Sequence, residues 1–194
     1  KYEHQPYVLS LTDEELKSAT RERARMLANG SRIVVLATGC GKRFPYKKWP
    51  EEHCVALIDL LLRDKDNVVV LVGDADEAAL NRRIKGHFRT RVYLPDTSRG
   101  LRRLGVVVQA GDYLVAPDTL ALHVGLALKK RVVALFGPTC PQEIEMYGLG
   151  CKIVAGCGCA PCYKSDCADD GRCMRTIKPH AVLKALEHLF AEPC

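Results

Sequence analysis

The stretch from Asp112 to Pro138, DYLVAPDTLALHVGLALKKRVVALFGP, constrains the fold of this chain more than any other. An apolar run from Tyr113 to Ala116 stops at Pro117-Asp118-Thr119, a helix-length segment follows with His123 one turn on, and a second apolar run from Arg131 to Phe136 stops at Gly137-Pro138. This is a strand, a turn, a helix and another strand. A crossover of this kind makes the two strands parallel and buries both faces, which is why they read as nearly unbroken Val, Ala and Leu rather than alternating. Thr119 and His123 are four apart and share one helix face, with Asp118 beside them at the strand's carboxyl end. In an open parallel sheet that edge is where ligands bind.

The same rhythm runs through the rest of the chain. Thr12-x-x-Glu15 is a capping box between Leu11 and Leu16, so a helix is expected from near Asp13 to a stop at Asn29-Gly30. Arg32 to Thr38 reads as a first buried strand, and Pro50 as the first turn of a helix that Glu51 and Glu52 favour and that ends near Arg63. Asn67 to Gly73 reads as a second strand, Asp74 to Gly86 as a helix, Arg91 to Leu94 as a short strand, and a helix capped by Thr97 or Ser98 reaches Ala110. Lys152 to Ala155 is expected as a last short strand and Pro179 to Phe190 as a closing amphipathic helix. Alternating strands and helices with right-handed crossovers predict an α/β, Rossmann-like, doubly wound parallel sheet. Residues 1–30 read as a linker and leading helix, and 31–194 as the domain itself, with a Cys-rich segment at 157–174.

Composition narrows the classes. At 194 residues with 47% hydrophobic content the chain can hold one full-sized α/β domain and some tail, or two small domains, and no apolar run approaches the roughly 18 residues of a membrane helix. The chain starts with Lys rather than Met and carries no charged-then-apolar leader, so it reads as a piece of something longer. A net charge of +6 suits phosphate-bearing small molecules or an anionic membrane surface and falls short of a nucleic-acid argument. Ten cysteines in a chain with a real core do not require a disulfide framework, and a reducing compartment is expected.

Four loops leave strand carboxyl ends: Gly39 to Lys48, Asp74 to Glu77, Asp118 to His123 and Gly137 to Cys140. Parallel strands end on one side, so these loops converge. Gly39 and Gly41 let backbone N–H groups approach a phosphate, Lys47 or Lys48 supplies a point charge, and helix N-termini at Glu77 and Thr119 add partial positive charge. A diphosphate site is expected there. Gly39-Cys40-Gly41 is neither a dinucleotide fingerprint nor a P-loop.

The segments Lys47-Lys48-Trp49-Pro50-Glu51, Val72-Gly73, Asp96-Thr97-Ser98 with Leu101, Asp118-Thr119 with His123, Leu135-Phe136-Gly137-Pro138-Thr139, and Cys159-Ala-Pro-Cys162 with Cys167 and Cys173-Met174 together resemble family 9 glycosyltransferases, the ADP-heptose lipopolysaccharide heptosyltransferases. The resemblance runs from about residue 32 to the C-terminus. It implies the C-terminal, nucleotide-sugar-binding half of a two-domain GT-B transferase, with Lys47 on donor phosphate, Glu77 on ribose or sugar hydroxyls, Thr97 by the base, and Asp118, Thr119 and His123 lining sugar and diphosphate. A lipid-linked glycan acceptor and the carboxylate base would then belong to a preceding domain, leaving no catalytic residue here. The family places Gly after Asp-Thr; this sequence has Leu120. The resemblance further implies an inverting transfer without cofactor or metal, in the cytoplasm and peripherally at the inner face of the inner membrane. Lys42, Arg43, Lys47 and Lys48 could equally serve membrane approach. The alternative is a non-catalytic sugar-nucleotide or protein-binding module on the same fold.

Cys159-x2-Cys162-x4-Cys167-x5-Cys173, with Cys157 alongside, admits three states: a structural zinc, paired disulfides or free thiols. The wide second spacing argues against zinc, and no metal is expected.

Overall fold

A computed structural model describes residues 5–27, 31–42 and 44–191. Within them β1 (Arg32–Ala37), β2 (Asn67–Val72), β3 (Val92–Tyr93), β4 (Tyr113–Pro117), β5 (Arg131–Phe136) and β6 (Gly150–Val154) form one sheet in the order β3-β2-β1-β4-β5-β6. Every neighbouring pair is parallel. The helices are α1 (Asp13–Leu27), α2 (Glu51–Leu62), α3 (Ala78–Gly86), α4 (Leu101–Ala110), α5 (Leu120–Ala127), α6 (Arg172–Thr176) and α7 (Pro179–Ala191). This is the doubly wound, Rossmann-like sheet that the alternation of strands and helices predicts.

Side chains alternate across each strand, so the apolar runs feed two cores. Ile33, Val35 and Ala37 of β1 point to one face, under α1, α4 and α5. Val34 and Leu36 point to the other, where α2, α3, α6 and α7 contribute Leu57, Ile84, Met174 and Leu186. The inner strands β1, β2, β4 and β5 are buried on both sides, which is what their unbroken hydrophobicity requires, while the edge strand β6 is only partly covered.

The capping box forms as expected: the Thr12 N–H donates to Glu15 Oε2 at 2.8 Å and the Glu15 N–H to Thr12 Oγ1 at 3.3 Å. The expected stop at Asn29-Gly30 lies outside the described residues. Three helix starts differ from expectation. Pro50 is the N-cap of α2 rather than part of its first turn. α3 begins at Ala78 because Asp74 to Glu77 turns on itself, with the Asp76 N–H donating to Asp74 Oδ1 at 2.8 Å. α4 begins at Leu101 after Gly100, whose φ of 87° a side chain would resist. Neither Thr97 nor Ser98 caps it, since the Thr97 hydroxyl is bonded to Gly73 and the Ser98 hydroxyl to Asp96.

Two contacts seat the loop after β1 and the helix after β4. The buried Trp49, in the loop after β1, donates its indole N–H to the Ile177 carbonyl at 3.0 Å, anchoring that loop to the segment before α7. Gly125 lets α5 lie close on β4, because a Cβ there would sit 2.3 Å from Leu114 Cδ2. Gly125→Ala should therefore lower unfolding stability by about 1–3 kcal/mol in urea titration; an unchanged midpoint would mean that α5 is not seated by this contact.

Candidate functional site

The strand order reverses between β1 and β4. The chain leaves β1 for α2 on one face and β4 for α5 on the other, so a crevice opens above the carboxyl ends of the two strands. A cavity of about 350 Å³ occupies it. Its walls come from the ends of β1, β2 and β4 and from the loop before α4, and of the residues expected from sequence Gly39, Gly41, Lys47, Glu77, Thr97 and Thr119 line it. Asp118 and His123 do not; they stand behind Lys47.

Lys47 reaches the cavity from the short 3-10 turn Pro45–Lys47 and is largely buried. Its ammonium donates to the Asp118 backbone carbonyl and lies 3.4 Å from Asp118 Oδ2. An ammonium has three N–H donors, and the two that Asp118 holds leave one for the cavity. Asp118 thus orients the lysine. His123 Nε2 lies 3.9 Å from Asp118 Oδ1 on the far side, and the Tyr7 ring meets the imidazole edge-on with centroids 5.4 Å apart.

Glu77 is the N-cap residue of α3 and only 3% exposed. Two glycines make room for it: a Cβ on Gly39 would fall 2.6 Å from Glu77 Oε2, and one on Gly73 would fall 2.8 Å from Glu77 Cβ. The glycine at 39 therefore has a packing reason of its own beside any approach to phosphate. Gly41, at a φ of 70°, has open space around it. The Glu77 carboxylate accepts the Asp74 N–H at 3.3 Å and pairs with Lys48 Nζ at 3.2 Å. Burial pushes its carboxyl above the usual range, and a side-chain hydrogen bond with the Asp74 carboxyl adds to this. Asp74 is held low, chiefly by that same bond.

Thr97 is buried and donates its hydroxyl to the Gly73 carbonyl at 2.5 Å, stitching the loop before α4 to the end of β2. Thr119 is the N-cap of α5; its hydroxyl turns back to the Pro117 carbonyl at 3.3 Å instead of capping the helix. The Leu122 N–H goes to the Thr119 carbonyl at 3.0 Å, which leaves the N–H groups of Leu120 and Ala121 without a partner within the helix, and Thr119, Leu120 and Ala121 are on the cavity wall. Leu120 is 57% exposed there.

Sequence reasoning passed over Thr38, Asp74 and Asn81. The buried Thr38 hydroxyl donates to Asn81 Oδ1 at 2.5 Å, and Asn81 Nδ2 would meet a Cβ on Gly73 at 3.1 Å, so this pair braces the strand ends around Glu77. Asn81 is four residues past Glu77 and on its helix face, which is the signal that could have found it. Lys48, held as an alternative to Lys47, takes a separate role as the Glu77 partner. Arg43 lies outside the described residues.

A mainly apolar crevice carrying one oriented ammonium, one buried carboxylate and the open N-terminus of a helix can seat an organic anion with hydroxyl groups. A model of glycosyltransferase family 9 (heptosyltransferase) matches residues 3–171. The chain belongs to glycosyltransferase family 9. Lipopolysaccharide heptosyltransferase 1 of Pseudomonas aeruginosa is 25% identical over 169 residues, covering 79% of this chain and 47% of that protein. A family 9 glycosyltransferase structure from Veillonella parvula superposes with a TM-score of 0.77 at 20% identity, over 96% of this chain and 54% of that one. An Escherichia coli heptosyltransferase solved with ADP-2-deoxy-2-fluoro heptose gives 0.61 at 23% identity, over 86% and 47%. The chain thus spans about half the length of the family 9 proteins it matches.

The Glu77 carboxyl has a folded pKa raised above its ordinary 4.5. For such an acid the folded state holds the proton more tightly, so its contribution to stability is full below about pH 4.5 and is lost as pH rises through the folded value. Glu77→Gln should flatten the decline of unfolding midpoint with pH above 4.5 in thermal scans; a variant with the wild-type slope would contradict the burial argument.

Proposed function

We propose that this chain is the nucleotide-sugar-binding half of an inverting glycosyltransferase, taking an ADP-heptose-like donor for lipopolysaccharide or related glycan synthesis. The observation that carries this reading is the meeting of Lys47, Glu77 and Thr119, from the ends of three different elements, on one cavity at the reversal point of the sheet. The diphosphate would lie against the Lys47 ammonium and the N-terminus of α5, where its negative charge is favoured. Glu77 would accept hydroxyls from ribose or sugar. The loop around Thr97 and Leu101 gives the cavity its apolar wall, suited to the base. His123, beyond Asp118, would face the sugar end.

In this mechanism the sugar leaves its diphosphate as an acceptor hydroxyl attacks, and charge builds on the departing phosphate oxygens. Lys47 and the backbone donors of α5 stabilise that charge, so the chain's contribution is electrostatic. The attacking hydroxyl must give up its proton to a carboxylate, and we place that base, with the lipid-linked acceptor site, in the half of the family fold that this chain does not span. The related proteins named above, one of them solved with an ADP-heptose analogue, support the choice of donor. We further propose a cytoplasmic setting with peripheral contact at the inner membrane face; no helix among the described residues is long and apolar enough to cross a membrane.

A second reading, a non-catalytic sugar-nucleotide or protein-binding module, rests on Leu120. Its exposed side chain stands where the helix N-terminus would meet the diphosphate. Calorimetry separates the two. Lys47→Ala should weaken ADP binding by about tenfold or more, the worth of a charge-assisted hydrogen bond. Unchanged ADP affinity in the variant, or no binding by the wild type, would overturn the transferase reading.

A further inference from the structure

The Cys-rich segment lies outside the proposed donor site, and the structure groups its thiols differently from their spacing in sequence. Cys157 and Cys159, separated only by Gly158, have their sulfur atoms 3.7 Å apart, in contact but unbonded. Cys159 is exposed and Cys157 half-buried, and both line a cleft of about 330 Å³ together with Asp169, Arg172 and Thr176. The Arg172 side chain is exposed on this cleft and enters no ion pair among the described residues. A Cβ at Gly158 would meet nothing within 4 Å, so the backbone between the two thiols is free of packing that would oppose their approach.

We propose that Cys157 and Cys159 form a dithiol site that reacts with small anionic disulfides of the glutathione class and closes to a reversible Cys157–Cys159 disulfide. Arg172 supplies the charge that draws a carboxylate-bearing disulfide into the cleft. The exposed Cys159 thiolate attacks one sulfur of the incoming disulfide, forming a mixed disulfide and releasing the first small thiolate. Cys157 then attacks the Cys159 sulfur, the protein disulfide forms, and the second small thiolate leaves. The two leaving thiolates take up the two protons that the cysteines give up, and two electrons pass from the cysteine sulfurs to the sulfur–sulfur bond of the oxidant, which ends as two thiols. Added thiol reverses each step.

The other cysteines of the segment are poorer partners. The Cys159 thiol is itself raised above its ordinary value by its neighbour Cys157, but it is exposed, whereas Cys173 is buried and burial pushes its thiol up to about 11. The Cys167 sulfur accepts the Gly171 N–H at 3.4 Å at the turn before α6. The Cys162 N–H is bonded to the Pro138 carbonyl at 3.0 Å, which ties that residue to the loop after β5. The 3.7 Å contact therefore selects one pair from five cysteines.

The test is incubation of the purified native protein with oxidised glutathione, followed by intact-mass and peptide mass spectrometry with free thiols trapped. The wild type should lose two hydrogens through a link between Cys157 and Cys159, reversed by dithiothreitol. Cys157→Ser should stop at a glutathione adduct on Cys159, and Cys159→Ser should leave Cys157 unlinked. If a serine variant fails to fold, the wild-type link map decides alone. A stable adduct on wild-type Cys159, a link from Cys159 to Cys162 or Cys173, or resistance to oxidation that a metal chelator relieves would each overturn the proposal.

Discussion

The pairing of β4 with β1 is the constraint on which the rest of this structure depends. Because β1 already pairs with β2 on its other side, the sheet is extended in both directions from one central strand. Chain leaving β1 must cross one face and chain leaving β4 the other. Neither connection can close over the strand ends, and a crevice remains that the fold cannot fill from within. The hydrophobic runs that make these strands also make the crevice, since strands buried on both faces need helices on both faces.

What lines that crevice follows from close packing as much as from ligand chemistry. Glu77 is buried at the mouth of the sheet only because positions 39 and 73 carry no side chain. Thr38 bonds to Asn81, and Thr38 and Thr97 to the backbone of β2 and its exit, which braces the strand ends around the carboxylate, and the carboxylate itself accepts the Asp74 N–H. Lys48 satisfies it from one side, while Lys47, two-thirds committed to Asp118, keeps a donor for the cavity. Two adjacent lysines thus do different work: one neutralises a buried carboxylate and the other presents positive charge to an incoming anion.

Much of this was legible from the residues. Unbroken Val and Leu runs placed the six strands within a residue or two, and stops at Gly39, Gly73, Pro117 and Gly137 marked the edge where the cavity lies. Helix starts were less legible where side chains had competing partners: Thr97 reads as a cap by type, but its hydroxyl goes to Gly73 across 24 positions of sequence. Spacing alone could not show that contact, nor that Asp118 would turn toward Lys47 and leave the cavity wall to Thr119. The cysteines illustrate the same limit: spacing left zinc, disulfides and free thiols open for Cys157, Cys159, Cys162, Cys167 and Cys173, whereas the fold brings Cys157 against Cys159. Local pattern fixes elements; which polar groups meet is set by register between strands distant in sequence.

The most direct measurement of the central claim is a map of backbone amide shifts in the protein as ADP is added. If the crevice at the β1–β4 reversal holds the nucleotide, the amides of Gly39 to Gly41, Gly73 to Glu77, Thr97 to Leu101 and Thr119 to Ala121 move together and saturably. Shifts confined to the opposite edge of the sheet, around Ser31, Asp112 and Lys130, would contradict it.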